Sequence, residues 1–116
     1  MNELSGEQVL LRIYIGETDK HEGKPLYQWI VEKFRREKIC GATVLRGILG
    51  YGAASHIHTA HILRLSQDLP VVIEIVDTRA NLDRILPEIE PLVGDGLITS
   101  QKITVVKYST RKNPQG

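Results

Sequence analysis

The chain has 116 residues, of which 25% are charged, and a formal net charge of +1; it is long enough for one domain with its own core and too short for two comfortable ones. Near-neutrality provides no global field to hold nucleic acid or an anionic membrane, so any anion site must be local. Cys40 is the only cysteine, which excludes an intrachain disulfide and a cysteine-based zinc cluster and suits a reducing compartment.

The opening MNELSGEQ has no basic stretch followed by an apolar one, and Glu74 interrupts the apolar run PVVIEIV, so the chain reads as soluble, untargeted and cytoplasmic. Gln8 to Gly16 alternates, with Val9, Leu11, Ile13 and Ile15 on one side and Leu10, Arg12 and Tyr14 on the other; that period predicts a strand. A polar connection, ETDKHEGK, leads to Pro25–Glu37, where Leu26, Trp29, Ile30 and Phe34 at helical spacing predict an amphipathic helix with Pro25 in its first turn. Trp29 and Phe34 are expected in the core, and Cys40 as a small buried hydrophobe.

The stretch GATVLRGILGYG, Gly41 to Gly52, predicts a second strand interrupted by four glycines. Glycine within a strand signals a bulge, a bend or a close approach to the backbone. PVVIEIVD predicts a third strand. Asp77 or Thr78 caps a second helix whose stripe is Leu82, Ile85, Leu86, Ile89, Leu92 and Val93, with Pro87 expected to kink or split it. GDG ends that helix, and KITVVKY predicts the fourth strand. Residues 1–108 are expected to form one domain, with 109–116 a flexible tail.

This order predicts an α+β, ferredoxin-like (βαββαβ) fold: a four-stranded antiparallel sheet with two helices on one face. Leu10, Tyr14, Val72 and Val76 then point away from the helices, and apolar residues on a second face call for a second cover, such as further copies of the chain. Arg12 and Glu74 on that face suit a subunit interface or a cross-strand pair.

GATVLRGILGYG, then LPVVIEIV from Leu69, then VGDGLIT from Val93 resemble the three signatures of the PII (GlnB-like) signalling proteins. In that family a Gly-aromatic-Gly closes the second strand, a long T-loop follows, and a Gly-Asp-Gly turn precedes the last strand. The first half, with IYIGETDKHEGKPLYQWIVEKFR, is more similar to the PII-like branch often encoded beside fluoride-channel genes. The resemblance implies a cytoplasmic homotrimer with its sheets facing inward, an adenine nucleotide bound in clefts between subunits, and signalling to a partner protein, such as a membrane transporter or channel, through a T-loop at about residues 53–68. It also implies roles for particular residues. Thr43 hydrogen-bonds the adenine and the backbone of Val76 reads it, with Gly41 permitting close approach. Gly50, Tyr51 and Gly52 lie at the T-loop base, and Gly94, Asp95 and Gly96 present backbone N–H groups to phosphate. Gly47 is expected to be a bulge.

The departures shape the ligand. Where the family has lysines after Gly-Asp-Gly and Leu-Pro, this chain has Leu97 and Val71, and Ala53-Ala54 replaces an Arg-Gln pair. With those phosphate and magnesium contacts missing, AMP or ADP is favoured over a triphosphate, with Lys107, Arg111 or Lys24 as replacement cations. No counterpart of the family's modified T-loop tyrosine is evident. Against this stands a metal-sensing trimer using His56, His58 and His61, since His58 and His61 sit three apart and would share a helix face. No nucleophile elbow or paired acids suggest catalysis, so no enzyme activity, catalytic residue or required cofactor is expected.

Overall fold

The computed structural model describes residues 4–51 and 69–109. The central sheet is built from β1 (Gly6–Gly16), β4 (Ala42–Arg46), β5 (Pro70–Asp77) and β6 (Leu97–Val105) in the order β4-β5-β1-β6, and every neighbouring pair is antiparallel. With α1 (Leu26–Arg36) and α2 (Arg79–Ile89) covering one face, this is the α+β ferredoxin-like fold. The connection ETDKHEGK carries a hairpin of two short strands, β2 (Lys20–His21) and β3 (Lys24–Pro25). Glu22 and Gly23 turn it with φ of 51° and 81°, the left-handed pair that a tight hairpin requires.

Period-2 alternation fills the core. Val9, Leu11, Ile13 and Ile15 of β1 and Val71, Ile73 and Ile75 of β5 are buried against Leu26, Ile30 and Phe34 of α1 and Leu82, Ile85 and Ile89 of α2. Trp29 is only partly buried. Its ring meets His21 edge-on at 4.8 Å and its indole N–H donates to Glu22 Oε1 at 3.3 Å, so it fastens the hairpin to α1 rather than filling the core. The two helices are joined on their outer side by Lys33, which pairs with Glu37 at 3.3 Å and Glu88 at 2.8 Å, and by Arg84, which pairs with Glu37 at 2.8 Å.

Pro25 precedes α1 as its N-cap, with ψ of 134°, instead of entering the first turn. The helix ends in a reversal in which the Ile39 N–H donates to Phe34 O at 3.0 Å and Lys38 adopts φ of +62°. Glycine is the residue best suited to that conformation. Lys38→Gly is therefore expected to raise the unfolding free energy by about 0.5–1 kcal/mol, the relief of left-handed strain exceeding the added freedom of the unfolded chain; urea denaturation measures it. Thr78 caps α2, accepting the Asn81 N–H at 3.1 Å. The helix runs through Pro87 to Ile89 and tightens into a 3-10 turn over Glu90–Leu92.

Three further expectations, all about the sheet, change. β4 ends at Arg46, so Ile48, Leu49 and Tyr51 lie beyond the strand and are exposed. Gly47 is not a bulge: Ala42–Arg46 pair with β5 in unbroken register, and Gly47 continues the ladder by donating its N–H to Pro70 O at 2.7 Å. A Cβ at Gly47 or Gly50 would meet Pro70 Cγ at 2.8 or 3.0 Å, so these glycines let the chain lie against the Pro70 ring. Finally, β6 begins at Leu97, directly after the GDG turn, five residues earlier than KITVVKY suggests.

Candidate functional site

The sheet face opposite the helices is organised in cross-strand rows. Leu45, Val72, Tyr14 and Leu97 are paired neighbours across all four strands. Leu45 and Leu97 are 48% and 55% exposed, so the row is apolar and uncovered in one chain. The next row is Thr43, Glu74, Arg12 and Thr99. Here Arg12 Nε donates to Glu74 Oε2 at 2.9 Å, a direct cross-strand ion pair that holds the Arg12 pKa above its usual value.

Beyond that row the face sinks into an open cleft of about 440 Å³, within the size range of small-molecule sites. Leu10, Val76, Ile103 and Val105 make an apolar floor, and Leu4, Gly41 and Ala42 continue it. The polar groups on the walls are Thr43, Glu74, Cys40, Lys107 and Tyr108. An apolar slot with a hydroxyl at one side and an ammonium at the other suits a flat heteroaromatic ring carrying an anionic group.

Behind the cleft lies Asp77, fully buried at the end of β5. Its Oδ2 accepts the Cys40 N–H at 2.9 Å, and its Oδ1 accepts the Thr78 N–H at 2.6 Å and Asn81 Nδ2 at 2.8 Å. Burial alone would raise this carboxyl, but hydrogen bonds from Asn81, Cys40 and Thr78 outweigh it and its pKa lies below the usual carboxylate value. Burial, and then the Asp77 charge, push the Cys40 thiol up. Cys40 therefore remains a neutral S–H, half-buried in the cleft wall beside Asp77 and Tyr108, rather than an inert core side chain.

Of the residues singled out by sequence, Gly41, Thr43, Val76 and Lys107 meet at this cleft. Gly94, Asp95 and Gly96 do not. They precede β6, whose first residue pairs with Tyr14, whereas Val105 pairs with Gly6; the strand between spans about 27 Å at ~3.4 Å per residue. A Cβ at Gly96 would lie 2.3 Å from Tyr14 O and 2.5 Å from Val93 Cγ1, so within the chain this glycine lets the turn close on β1. Gly50 packs on Pro70, and Tyr51 is 74% exposed. Both lie towards the sheet end where Gly16 pairs with Pro70, the same end as Gly96 but on the opposite edge. Gly52, His56, His58, His61, Arg111 and nearly all of the expected T-loop and tail lie outside the described residues. Lys24 is engaged by Glu32 at 2.8 Å.

Sequence reasoning passed over Cys40, Glu74 and Tyr108 as cleft residues. Alternation on β5 places Glu74 and Val76 on one face and so contained part of that signal. Tyr108 had only its place beside Lys107 to mark it.

The family profile described as Uncharacterized ACR, COG1993 matches residues 8–105. The chain belongs to this family, DUF190. The DUF190 chain is 43% identical over 102 residues to the UPF0166 protein MJ1524 of Methanocaldococcus jannaschii, covering 87% of this chain and 94% of that one. It is 39% identical over 97 residues to a UPF0166 protein of Aquifex aeolicus, covering 84% and 91%. Among solved structures it resembles CPII, a nitrogen regulatory PII-like protein from Thiomonas intermedia K12, in its form bound to ADP, AMP and bicarbonate. The TM-score is 0.62 at 13% identity, over 89% of this chain and 97% of CPII. At that identity the likeness is one of fold. This chain thus shares its fold with CPII. Among the described residues no helix is long and apolar enough to cross a membrane, and no three metal-ligating side chains cluster.

Proposed function

We propose that the protein is a homotrimeric PII-like regulator that binds AMP or ADP in clefts between its copies and signals through the segment at about 53–68, read by a partner protein such as a membrane transporter or channel. Its work is then differential affinity of loop conformations for that partner rather than chemistry. The relationship to the branch encoded beside fluoride channels belongs to the same proposal.

The observation that carries this reading is the division of the site. Thr43, Val76 and Lys107 line a cleft at one end of an apolar, uncovered sheet face, while the Gly94–Gly96 turn and Gly50 and Tyr51 belong to the other end. Within one chain the length of β6, about 27 Å at ~3.4 Å per residue, separates the turn from Lys107, too far for one mononucleotide to meet both. Copies packed face to face would cover the row Leu45, Val72, Tyr14 and Leu97 and bring the turn of one copy to the cleft of the next. Adenine fits the apolar floor with its exocyclic amine at Thr43 Oγ1, and the phosphate falls to Lys107 and the neighbouring turn. CPII, of the same fold, binds ADP and AMP. Lys107 as the single cleft cation among the described residues, with Leu97 and Val71 where lysines stand in PII proteins, favours few phosphates.

AMP or ADP is expected to raise the melting temperature in proportion to RT ln(1 + [L]/Kd), and GTP less, because guanine offers a carbonyl where adenine offers an amine. Thr43→Val should weaken AMP by roughly five- to tenfold, the equivalent of about 1–1.4 kcal/mol, and narrow the preference over guanine nucleotides. Calorimetric titration measures both. If no adenine nucleotide binds at millimolar concentration while zinc or copper does at micromolar, the metal-sensing alternative through His56, His58 and His61 replaces this reading.

A further inference from the structure

We propose that Tyr108 is the residue that positions Lys107 over the cleft, held from behind by the buried Asp77 through Cys40; this rests on the nucleotide reading above. β6 ends at Val105, and the chain bends at Val106, which is 94% exposed. After that bend both Lys107 and Tyr108 line the cleft, although successive residues of a straight strand would point to opposite faces. Residues 106–109 have no sheet partner among the described residues, and in this stretch only Tyr108 is half-buried while Val106, Lys107 and Ser109 are exposed. Something must hold the segment in place, and among its described residues only the Tyr108 side chain is withdrawn from solvent to do so.

The attachment leads back to the buried Asp77 at the end of β5. Tyr108 and Cys40 line the same cleft and stand close enough to perturb each other: burial and then Asp77 raise the Cys40 pKa, while Tyr108 lowers it. The Cys40 N–H is fixed on Asp77 Oδ2 at 2.9 Å, and the other carboxylate oxygen is fixed on the start of α2. Lys107 has no ion pair among the described residues, so its ammonium is available to an anion in the cleft. Its long side chain gains most when its backbone is already placed, because less freedom is then lost on binding. Tyr108 supplies that placement without touching the ligand's phosphate.

The test is calorimetric titration of the full chain with AMP and with adenosine, which has the same base and sugar but no charge. Lys107→Met should weaken AMP about tenfold and leave adenosine unchanged. Tyr108→Phe, which removes only the hydroxyl, should weaken AMP about three- to fivefold with adenosine unchanged, and should have no further effect in the Lys107→Met background. Equal weakening of AMP and adenosine by Tyr108→Phe, no weakening of AMP, or an undiminished effect without Lys107 would overturn the proposal. A wild-type chain that binds neither ligand would end the nucleotide reading and, with it, this role for Lys107. The anchor is read separately by alkylation of Cys40, the only cysteine, with iodoacetamide. Severalfold faster labelling in Tyr108→Phe supports a segment held over the thiol, and an unchanged rate contradicts it.

Discussion

Asp77→Ala is expected to lower the unfolding free energy by about 3–5 kcal/mol, a large fraction of the stability of an ordinary domain. The side chain is completely buried, and three donors converge on it: the N–H groups of Cys40 and Thr78 and the amide of Asn81. Removing the acceptor strands all three, and each unsatisfied buried donor costs about 1–3 kcal/mol; relief of the carboxylate's own desolvation offsets part of the sum. The pH dependence has a definite sign. Because the folded pKa of Asp77 is depressed, the stability it confers is present above the unfolded value near 3.9 and is lost as pH falls through the lower folded value. Urea denaturation at pH 7 and pH 3 should show the difference between wild type and Asp77→Ala shrinking in acid. A loss below about 1 kcal/mol at pH 7 would contradict this account of the buried carboxylate.

Val72→Lys is expected to break the assembly. Val72 sits between Leu45 and Tyr14 in the apolar row of the open face, and the nearest carboxylate on that face, Glu74, is engaged by Arg12. Covering the row with neighbouring copies would bury an unpaired ammonium in each, at a cost of several kcal/mol per copy. In light scattering at micromolar concentration the wild type should have three times the mass of the chain, and the variant the mass of one chain or an unfolded profile by circular dichroism. A folded variant that remains fully assembled would place the interface elsewhere.

The parts of the fold legible in the sequence are those where local pattern and burial agree. β5 occupies the predicted residues because PVVIEIVD alternates cleanly between core and open face, and β1 covers the predicted Gln8–Gly16 for the same reason but begins two residues earlier, at Gly6. β4 was overextended because Ile48, Leu49 and Tyr51 have strand-forming side chains, yet the backbone there follows the Pro70 ring, a contact that only the tertiary structure creates. KITVVKY places the start of β6 late because its apolar alternation begins only at Ile103, whereas on an edge strand the polar Thr99, Ser100 and Gln101 are unremarkable. The hairpin at Lys20–Pro25 rests on two-residue strands, below the reach of any periodicity.

The site was legible in pieces. Thr43, Gly41 and Val76 follow from the resemblance and Lys107 from the departures from it, and all four share a cleft, but no local pattern reveals that the Gly94–Gly96 turn lies at the other end of the sheet. That follows from strand register, as does the meeting of Arg12 with Glu74. Gly96 shows how one residue can have two explanations: a glycine required beside Tyr14 O looks in sequence the same as a glycine meant for phosphate. For that reason its substitution is a poor probe of ligand binding, since Gly96→Val would disturb β1 first.

The most direct test of a nucleotide site built between copies is native mass spectrometry of the wild-type protein with AMP. The account predicts a trimer carrying up to three AMP molecules and no nucleotide on any monomer. A monomer that binds AMP by itself, or a trimer that binds none, would contradict it.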